Sequence, residues 1–293
     1  MTVQAAAPNT VRAAVLAGRG RLRVAGVDSP YLDAVVLLAH ALGVSKERLF
    51  AAFPDPLPEP ALERYRQLVG RRGDGEPVAY LRGYKEFYGR PFVVDRAVLI
   101  PRPETELLVE AVLDAGDAVA AARGGSVALH DVGTGSGAIA VTVSLERPGW
   151  RVGASDLSSA AVTVAERNRD GLGADGVRLE VCDLLPAAPA RWDLIAANLP
   201  YLSSAEVAAL RRRRWPEPEL ALDGAGDGLA PSRRLIDRAQ GRLRPGGALL
   251  LETAADRAAE LAGYLEQRGF ARVSVAPDLA GRPRVVTACR GAR

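Results

Sequence analysis

The sequence predicts a mixed α/β protein, with a mostly parallel sheet carrying helices on both faces and an antiparallel edge, preceded by a small helical domain. From about residue 101 onward, short apolar runs of strand length alternate with longer stretches of helical period. Residues 10–73 show the helical period alone. The length of 293 residues and the 48% hydrophobic content are sufficient for one large domain and one small domain.

The N-terminal segment predicts a helical domain over residues 1–86. Its predicted helices cover residues 11–16, 31–42 and 61–71. Ser29 and Pro30 suit the start of the second helix, and Gly43 suits a left-handed residue at its end. Four prolines within residues 54–60 predict a stiff loop before the third helix.

A hairpin is predicted to link the two domains over residues 87–100. It is based on the β-rich runs Phe87-Tyr88 and Pro91 to Val94, which flank Gly89-Arg90. The α/β domain then occupies residues 101–293. Its predicted helices cover residues 104–122, 138–145, 159–169 and 231–242, and a further helix is predicted to end at residue 268. Its predicted strands cover residues 127–132, 151–155, 177–181, 194–197, 248–252, 273–276 and 284–289.

Composition narrows the class of protein. The chain has 38 basic and 35 acidic residues, a balance that does not favour nucleic-acid binding. Cys182 and Cys289 show no metal-binding or disulfide spacing, so we expect no metal and a reducing, cytoplasmic location. No apolar run reaches the roughly 18 residues that a membrane span needs, and residues 1–9 do not resemble a signal peptide.

A glycine-rich turn lies between the first predicted strand of the α/β domain and the next helix. Its residues are Asp131, Val132, Gly133, Thr134, Gly135, Ser136 and Gly137. Glycines at such a turn let the backbone approach a nucleotide ligand closely. Asp156 ends the second strand about twenty residues later, where a carboxylate can accept hydrogen bonds from ribose hydroxyls. These two features leave a dinucleotide site and a methyl-donor site both open.

A third acidic position favours the methyl donor. Asp183 and Leu184 follow the third strand, where methyltransferases commonly contact adenine. With Asp131, Asp156 and Asp183 each at the end of a strand, the pattern resembles the class I, Rossmann-like methyltransferase fold.

The sequence Asn198-Leu-Pro-Tyr201 follows the fourth strand, at the sheet edge where open α/β sheets place their chemistry. It resembles the NPPY-type motif of methyltransferases that act on planar nitrogen. An amide nitrogen is a poor nucleophile, so its two protons must be held and its face aimed at the methyl group. The Asn198 side-chain oxygen and the Leu199 carbonyl can accept those protons, and Tyr201 can pack against the amide plane.

Over nearly the whole chain, from about Ser29 to Ala288, the sequence resembles the release-factor glutamine N5-methyltransferase family. The most specific stretches are residues 76–89 and 99–110; further matches are residues 131–139, 217–224, 227–229, 245–247 and 278–282. The family methylates the glutamine of the Gly-Gly-Gln tip of peptide chain release factors.

The resemblance implies S-adenosylmethionine as cofactor and a release factor as partner, with a monomeric enzyme. It implies cofactor contacts from Asp131, Gly133, Thr134, Gly135, Ser136, Gly137, Asp156, Asp183, Leu184 and Asn198. It also places Arg102 and Thr105 beside the methionine end of the cofactor, and it assigns the acceptor amide to Asn198, Leu199, Pro200 and Tyr201.

Two departures from the family pattern keep other acceptors open. Leu199 stands where the family usually has proline, a form associated more with rRNA adenine dimethylases, and Thr253-Ala254 replaces the usual Ile-Gly. The alternatives are a relative that methylates a small-molecule amine or amide, a nucleic-acid adenine N6-methyltransferase, and a non-catalytic module that binds the cofactor.

Overall fold

Two compact units make up the structure, a computed structural model that describes residues 10–291. The first unit ends at Gly83 and the second begins at Tyr84. Residues 1–9 and 292–293 of the predicted domains lie outside the described residues. None of the helices between residues 10 and 291 has the length and apolar character needed to cross a membrane.

The first unit is helical. Its described residues form α1 (Val11–Val24), α2 (Pro30–Leu42), α3 (Lys46–Ala51), α4 (Glu59–Gly73) and α5 (Val78–Arg82). Buried leucines such as Leu22, Leu37 and Leu49 form its core. Gly43 ends α2 with φ of 68°, as its position predicts. The short helices α3 and α5 were not predicted, because six and five residues are too few to show a helical period.

The second unit carries the sheet. Its helices are α6 (Thr105–Arg123), α7 (Ala138–Glu146), α8 (Ser159–Leu172), α9 (Ser204–Arg212), α10 (Ala230–Arg242) and α11 (Ala258–Gln267). Its strands are β1 (Tyr84–Phe87), β2 (Arg90–Val93), β3 (Ala128–Val132), β4 (Arg151–Asp156), β5 (Arg178–Val181), β6 (Trp192–Ala197), β7 (Leu243–Glu252), β8 (Phe270–Pro277) and β9 (Pro283–Arg290).

Seven strands form one sheet in the order β5-β4-β3-β6-β7-β9-β8. The first five run parallel, and β9 pairs antiparallel with both β7 and β8. The chain builds outward from β3 to β5 and then returns to place β6 on the other side of β3. The order of the strands therefore reverses between β3 and β6.

Successive side chains of a strand point to opposite faces of the sheet, so a strand that is apolar throughout must be buried on both faces. Helices cover both faces of this sheet. Along β6, Leu194 and Ala196 pack into one hydrophobic core, and Ile195 and Ala197 pack into the other. The continuous apolar run of β6 is thus explained by burial on both faces. The predicted mostly parallel sheet with an antiparallel edge is confirmed.

Several elements differ from their predictions. Helix α1 runs eight residues past its predicted end at residue 16, and β7 begins five residues before its predicted start at residue 248. The hairpin strands β1 and β2 occupy residues 84–93, with a turn at Tyr88 and Gly89, so the hairpin begins earlier than the predicted residues 87–100. Helix α9 was not predicted at all, although Ser203 and Glu206 form a capping box at its start.

Candidate functional site

The glycine loop and the Asn198 motif lie at the point where the strand order reverses. The loop follows β3 and the motif follows β6, and these strands are parallel neighbours with Val132 opposite Ala197. In open α/β sheets, ligands bind at the carboxyl ends of the strands on either side of such a reversal. The topology therefore brings the two strongest sequence motifs to one edge of the sheet.

Hydrogen bonds from the glycine loop to the neighbouring strand β4 fix the shape of the loop. The N–H groups of Gly133 and Thr134 donate to the Ser155 carbonyl at 2.8 and 3.0 Å. Gly133 has φ of 72°, and a Cβ atom there would lie 2.8 Å from the Leu199 side chain. The first glycine is thus needed for its left-handed conformation, and the Leu199 side chain packs closely against it.

Asp131 lies beneath the loop and is fully buried. One carboxyl oxygen accepts from the Thr134 hydroxyl at 2.6 Å and from the Ala140 N–H at 3.3 Å. The other oxygen, Oδ1, has no hydrogen-bond partner among the described residues. Burial raises the pKa of Asp131 to about 7, although these hydrogen bonds oppose the shift.

This shift predicts a pH-dependent stability. The folded chain keeps the Asp131 proton up to a pH of about 7, whereas an unfolded aspartate loses it at a pH of about 4. Between those values the free energy of unfolding should therefore fall as pH rises, by at most about 1.4 kcal/mol per pH unit. Asp131→Asn should remove this contribution, because the amide does not ionise.

Urea denaturation of both proteins across that range measures the effect. Burial also raises the pKa of Glu252 and lowers that of His130, so the informative quantity is the difference between the wild type and the variant. A difference that stays constant with pH would contradict the assignment.

Asp156 and Asp183 lie at the ends of β4 and β5 but have different surroundings. Asp156 accepts from the N–H groups of Gly135 and Ser158, each at 2.9 Å, and burial raises its pKa. The Asp183 carboxylate is half-exposed and pairs with Arg234 and Arg238 on α10. Asp183 therefore lies at the predicted edge of the sheet, but its charge is paired with two arginines. The sequence did not indicate these ion pairs.

A cavity of about 360 Å³ opens between the loop and the motif. The predicted residues that line it are Arg102, Thr105, Gly133, Thr134, Gly135, Ser136, Asp156, Asp183, Leu184, Asn198, Leu199 and Pro200. Asp131 and Gly137 do not line it, since they support the loop from behind, and Tyr201 faces a different cavity. The lining also includes Leu157 and Leu220, which are more than half exposed and were not predicted.

The Asn198 carboxamide is anchored through its nitrogen. Nδ2 donates to the Thr105 hydroxyl at 3.1 Å, at the start of α6. Within residues 10–291, no hydrogen bond reaches the Asn198 side-chain oxygen or the Leu199 carbonyl. Both acceptors that the sequence proposes for an amide are therefore available.

A smaller cavity of about 160 Å³ adjoins the first on the side of Tyr201. The two cavities share lining residues that include Arg102, Asn198 and Leu199. Tyr201 and the half-exposed Trp215 supply aromatic walls, and burial raises the pKa of the Tyr201 hydroxyl. The arrangement offers one chamber on each side of Asn198.

A buried glutamate connects the segments around the smaller cavity. Glu217 accepts from the Ile100 N–H at 2.9 Å, from Arg102 at 2.5 Å and from the Trp215 indole at 3.0 Å. Arg102, predicted beside the cofactor, is thus held by a residue 115 positions away. Glu217 lies in the stretch 217–224 that resembles the family, but its role in holding Arg102 was not predicted.

Comparisons with known proteins cover both units. A family model described as PrmC N-terminal domain matches residues 13–83, and one described as Methyltransferase small domain matches residues 104–212. The release factor glutamine methyltransferase of Cereibacter sphaeroides is 45% identical over 285 residues, which cover 96% of this chain and 98% of that protein. The protein of the same name from Moorella thermoacetica is 40% identical, with 96% and 99% covered.

Solved structures agree at the level of the fold. The catalytic domain of hMettl16 aligns with a TM-score of 0.53 at 16% identity, covering 80% of this chain and 82% of that one. A methyltransferase from Pyrococcus furiosus aligns with a TM-score of 0.51 at 18% identity, covering 70% and 90%. The predicted class I methyltransferase fold is confirmed. The relatives that match over nearly the whole chain establish, by themselves, that it belongs to the release factor glutamine methyltransferase family.

Proposed function

We propose that this chain transfers a methyl group from S-adenosylmethionine to the side-chain amide nitrogen, N5, of a glutamine in a peptide chain release factor. The observation that carries the proposal is the Asn198 motif: Asn198 and Leu199 line a ligand-sized cavity beside the glycine loop, and their two acceptor oxygens have no hydrogen-bond partner among the described residues. The relatives of the same family match this chain over nearly their whole length, including both units.

The residues of the larger cavity fit S-adenosylmethionine. Its volume falls within the range of small-molecule pockets, and its walls are mostly apolar with a few polar groups. Asp156 supplies an acceptor suited to ribose hydroxyls, and Leu157 and Leu184 supply apolar surface suited to an adenine ring. When bound, this cofactor supplies an electrophilic methyl group on a sulfonium sulfur.

The chain's own residues would prepare the acceptor nitrogen. The Asn198 side-chain oxygen and the Leu199 carbonyl each accept one amide proton, which turns the face of the nitrogen toward the larger cavity. These acceptors stabilise the positive charge that develops on nitrogen as it bonds to carbon. As the nitrogen bonds to the methyl carbon, the bond between that carbon and sulfur would break, which leaves a neutral thioether. The nitrogen then releases one proton to water, and the product is a neutral N-methyl amide.

We further propose that the helical unit, residues 10–83, recognises the protein acceptor. None of its described residues belongs to the group of polar side chains around Asn198. A family model nevertheless matches nearly all of this unit. An amide on a protein requires docking surface in addition to a reactive centre. In this proposal the chain acts as a monomer in the cytoplasm, with the release factor and no nucleic acid as its partner.

Incubation of the purified chain with methyl-labelled S-adenosylmethionine and release factor tests the proposal. Peptide mass mapping should find the label on the glutamine of the Gly-Gly-Gln tip. A release factor with asparagine in place of that glutamine is the matched control and should remain unlabelled. Transfer to a free amine or to RNA, with the release factor unlabelled, would overturn the assigned acceptor.

A further inference from the structure

The Asn198 carboxamide is held from behind by two residues that lie at the ends of other elements. Thr105 begins α6, and its hydroxyl accepts from Asn198 Nδ2 at 3.1 Å. Glu252 ends β7; burial raises the pKa of its carboxyl group, and hydrogen bonding to the side chains of Thr105 and Asn198 opposes that rise. Because Ala197 on β6 lies opposite Leu251 on β7, the register brings Asn198 beside Glu252.

These two supporting residues are buried. Glu252 is 2% exposed and Thr105 is 4% exposed. The second carboxyl oxygen of Glu252, Oε2, has no hydrogen-bond partner among the described residues, and Glu252 lines neither of the two cavities. A carboxyl group buried with an unsatisfied oxygen costs stability, so its presence points to a role other than holding the fold together.

The chemistry of the three groups fixes the direction of their hydrogen bonds. When Glu252 is ionised its carboxylate only accepts, so the Thr105 hydroxyl donates its proton to Glu252 in that form. The lone pairs of that hydroxyl then accept from Asn198, and the other Asn198 N–H is directed to Glu252. Both protons of the Asn198 amide consequently point inward, which leaves its oxygen to face outward.

The outward direction matters for an amide acceptor. If the Asn198 carboxamide turned by half a rotation, it would present its own NH₂ group to the NH₂ group of the substrate. Two donors cannot form a hydrogen bond, so such a site would repel the acceptor nitrogen.

We propose that Thr105 and Glu252 are positioning residues that fix the orientation of the Asn198 carboxamide, with Glu252 setting the direction of the hydrogen-bond chain. This inference rests on the proposed function. It gives Thr105 a role toward the acceptor, in addition to its place in the wall of the larger cavity.

Three substitutions test the proposal. Thr105→Val removes the hydroxyl but keeps the shape, Thr105→Ser keeps the hydroxyl, and Glu252→Gln adds an NH₂ group that can donate to Thr105 and reverse the chain. We expect Thr105→Val and Glu252→Gln to lower kcat about ten- to hundred-fold, because misplaced groups have effects of this size. Thr105→Ser should retain most of the activity.

A matched control is available on α7. Thr142 is fully buried and its hydroxyl has no hydrogen-bond partner among the described residues, so Thr142→Val removes an equivalent group away from Asn198. We expect this variant to keep the wild-type kcat.

The measurements are kcat with release factor at saturating cofactor, the Kd of the cofactor by calorimetry, and the Tm. For Glu252→Gln, which lines neither cavity, the proposal predicts a lower kcat with a cofactor Kd within about two-fold of wild type and a Tm that does not fall. It is overturned if Thr105→Val keeps the wild-type kcat, or if the loss in Glu252→Gln follows Tm or cofactor Kd. If the wild type does not label the release factor at all, the proposed function fails instead.

Discussion

Replacement of Asn198 by alanine is expected to reduce kcat/KM for methyl transfer by about 10²- to 10³-fold, the effect of removing one preorganised polar group from a reaction centre. Alanine removes the side-chain oxygen that is proposed to accept one amide proton. It also leaves the Thr105 hydroxyl and the buried Glu252 carboxyl without the amide that joins them. The acceptor nitrogen then loses its orientation toward the methyl group.

Measuring cofactor binding by the Asn198→Ala variant distinguishes the loss of this role from a general loss of structure. The glycine loop is held by Ser155 and Asp156, not by Asn198, so the Kd of the cofactor should change by less than about ten-fold. Equilibrium binding and single-turnover kinetics with the release factor measure the two quantities. Unchanged single-turnover rates would refute the function assigned to Asn198.

The sequence was sufficient to predict that the two motifs of the candidate site lie at one edge of the sheet, because its signals are local. The glycine loop is marked by three glycines next to a strand, and the Asn198 motif follows another strand after a buried apolar run. Strand ends meet at one edge of a parallel sheet whatever the details of packing. Residues 131–137 and 198–201 could therefore be placed near one another without coordinates.

The supporting contacts could not be predicted, because they join residues that are distant in the chain. Glu217 reaches Arg102 across 115 positions, and Asp183 is paired by residues of α10 more than 50 positions away. Glu252 stands in a strand that reads as apolar, and nothing local connects it with Thr105 or Asn198. Pairings of this kind depend on strand order and helix docking, which a single sequence does not specify.

Helix α9 was missed for a different reason. Ser203 and Glu206 form a capping box that the sequence displays openly, but the helix buries Val207 alone. Hydrophobic periodicity is therefore weak there, and the basic run that ends the helix reads as a solvated surface. A search for capping signals would have found it.

The second large effect is expected at Gly228, in the segment between α9 and α10. Gly228 has φ of 92°, and a Cβ atom there would lie 2.4 Å from the Tyr201 carbonyl oxygen. The two segments are also joined by the bridge between Leu202 and Asp223. Since this contact is between two backbone segments, Gly228→Ala requires the chain to shift at Gly228 or at Tyr201, at the end of the Asn198 motif, and the Arg257 side chain, 2.8 Å from the same Cβ, must also move.

We expect Gly228→Ala to lower kcat by about 100-fold, because a displacement near 1 Å at the reacting group has an effect of that order. Gly173 at the end of α8 provides the matched control. It has φ of 76°, and a Cβ atom there would meet nothing within 4 Å. Gly173→Ala should therefore cost about 1 kcal/mol of stability through its backbone conformation and leave kcat unchanged.

Comparison of the two glycine variants separates strain from displacement. Both require a left-handed alanine, so each should lower the Tm, whereas only Gly228→Ala pushes on the segment that holds the acceptor amide. Chemical denaturation and single-turnover kinetics, run side by side, give the two effects independently. If both variants lost kcat equally, the loss would come from backbone strain, and the contact between Gly228 and Tyr201 would have no special part in shaping the site.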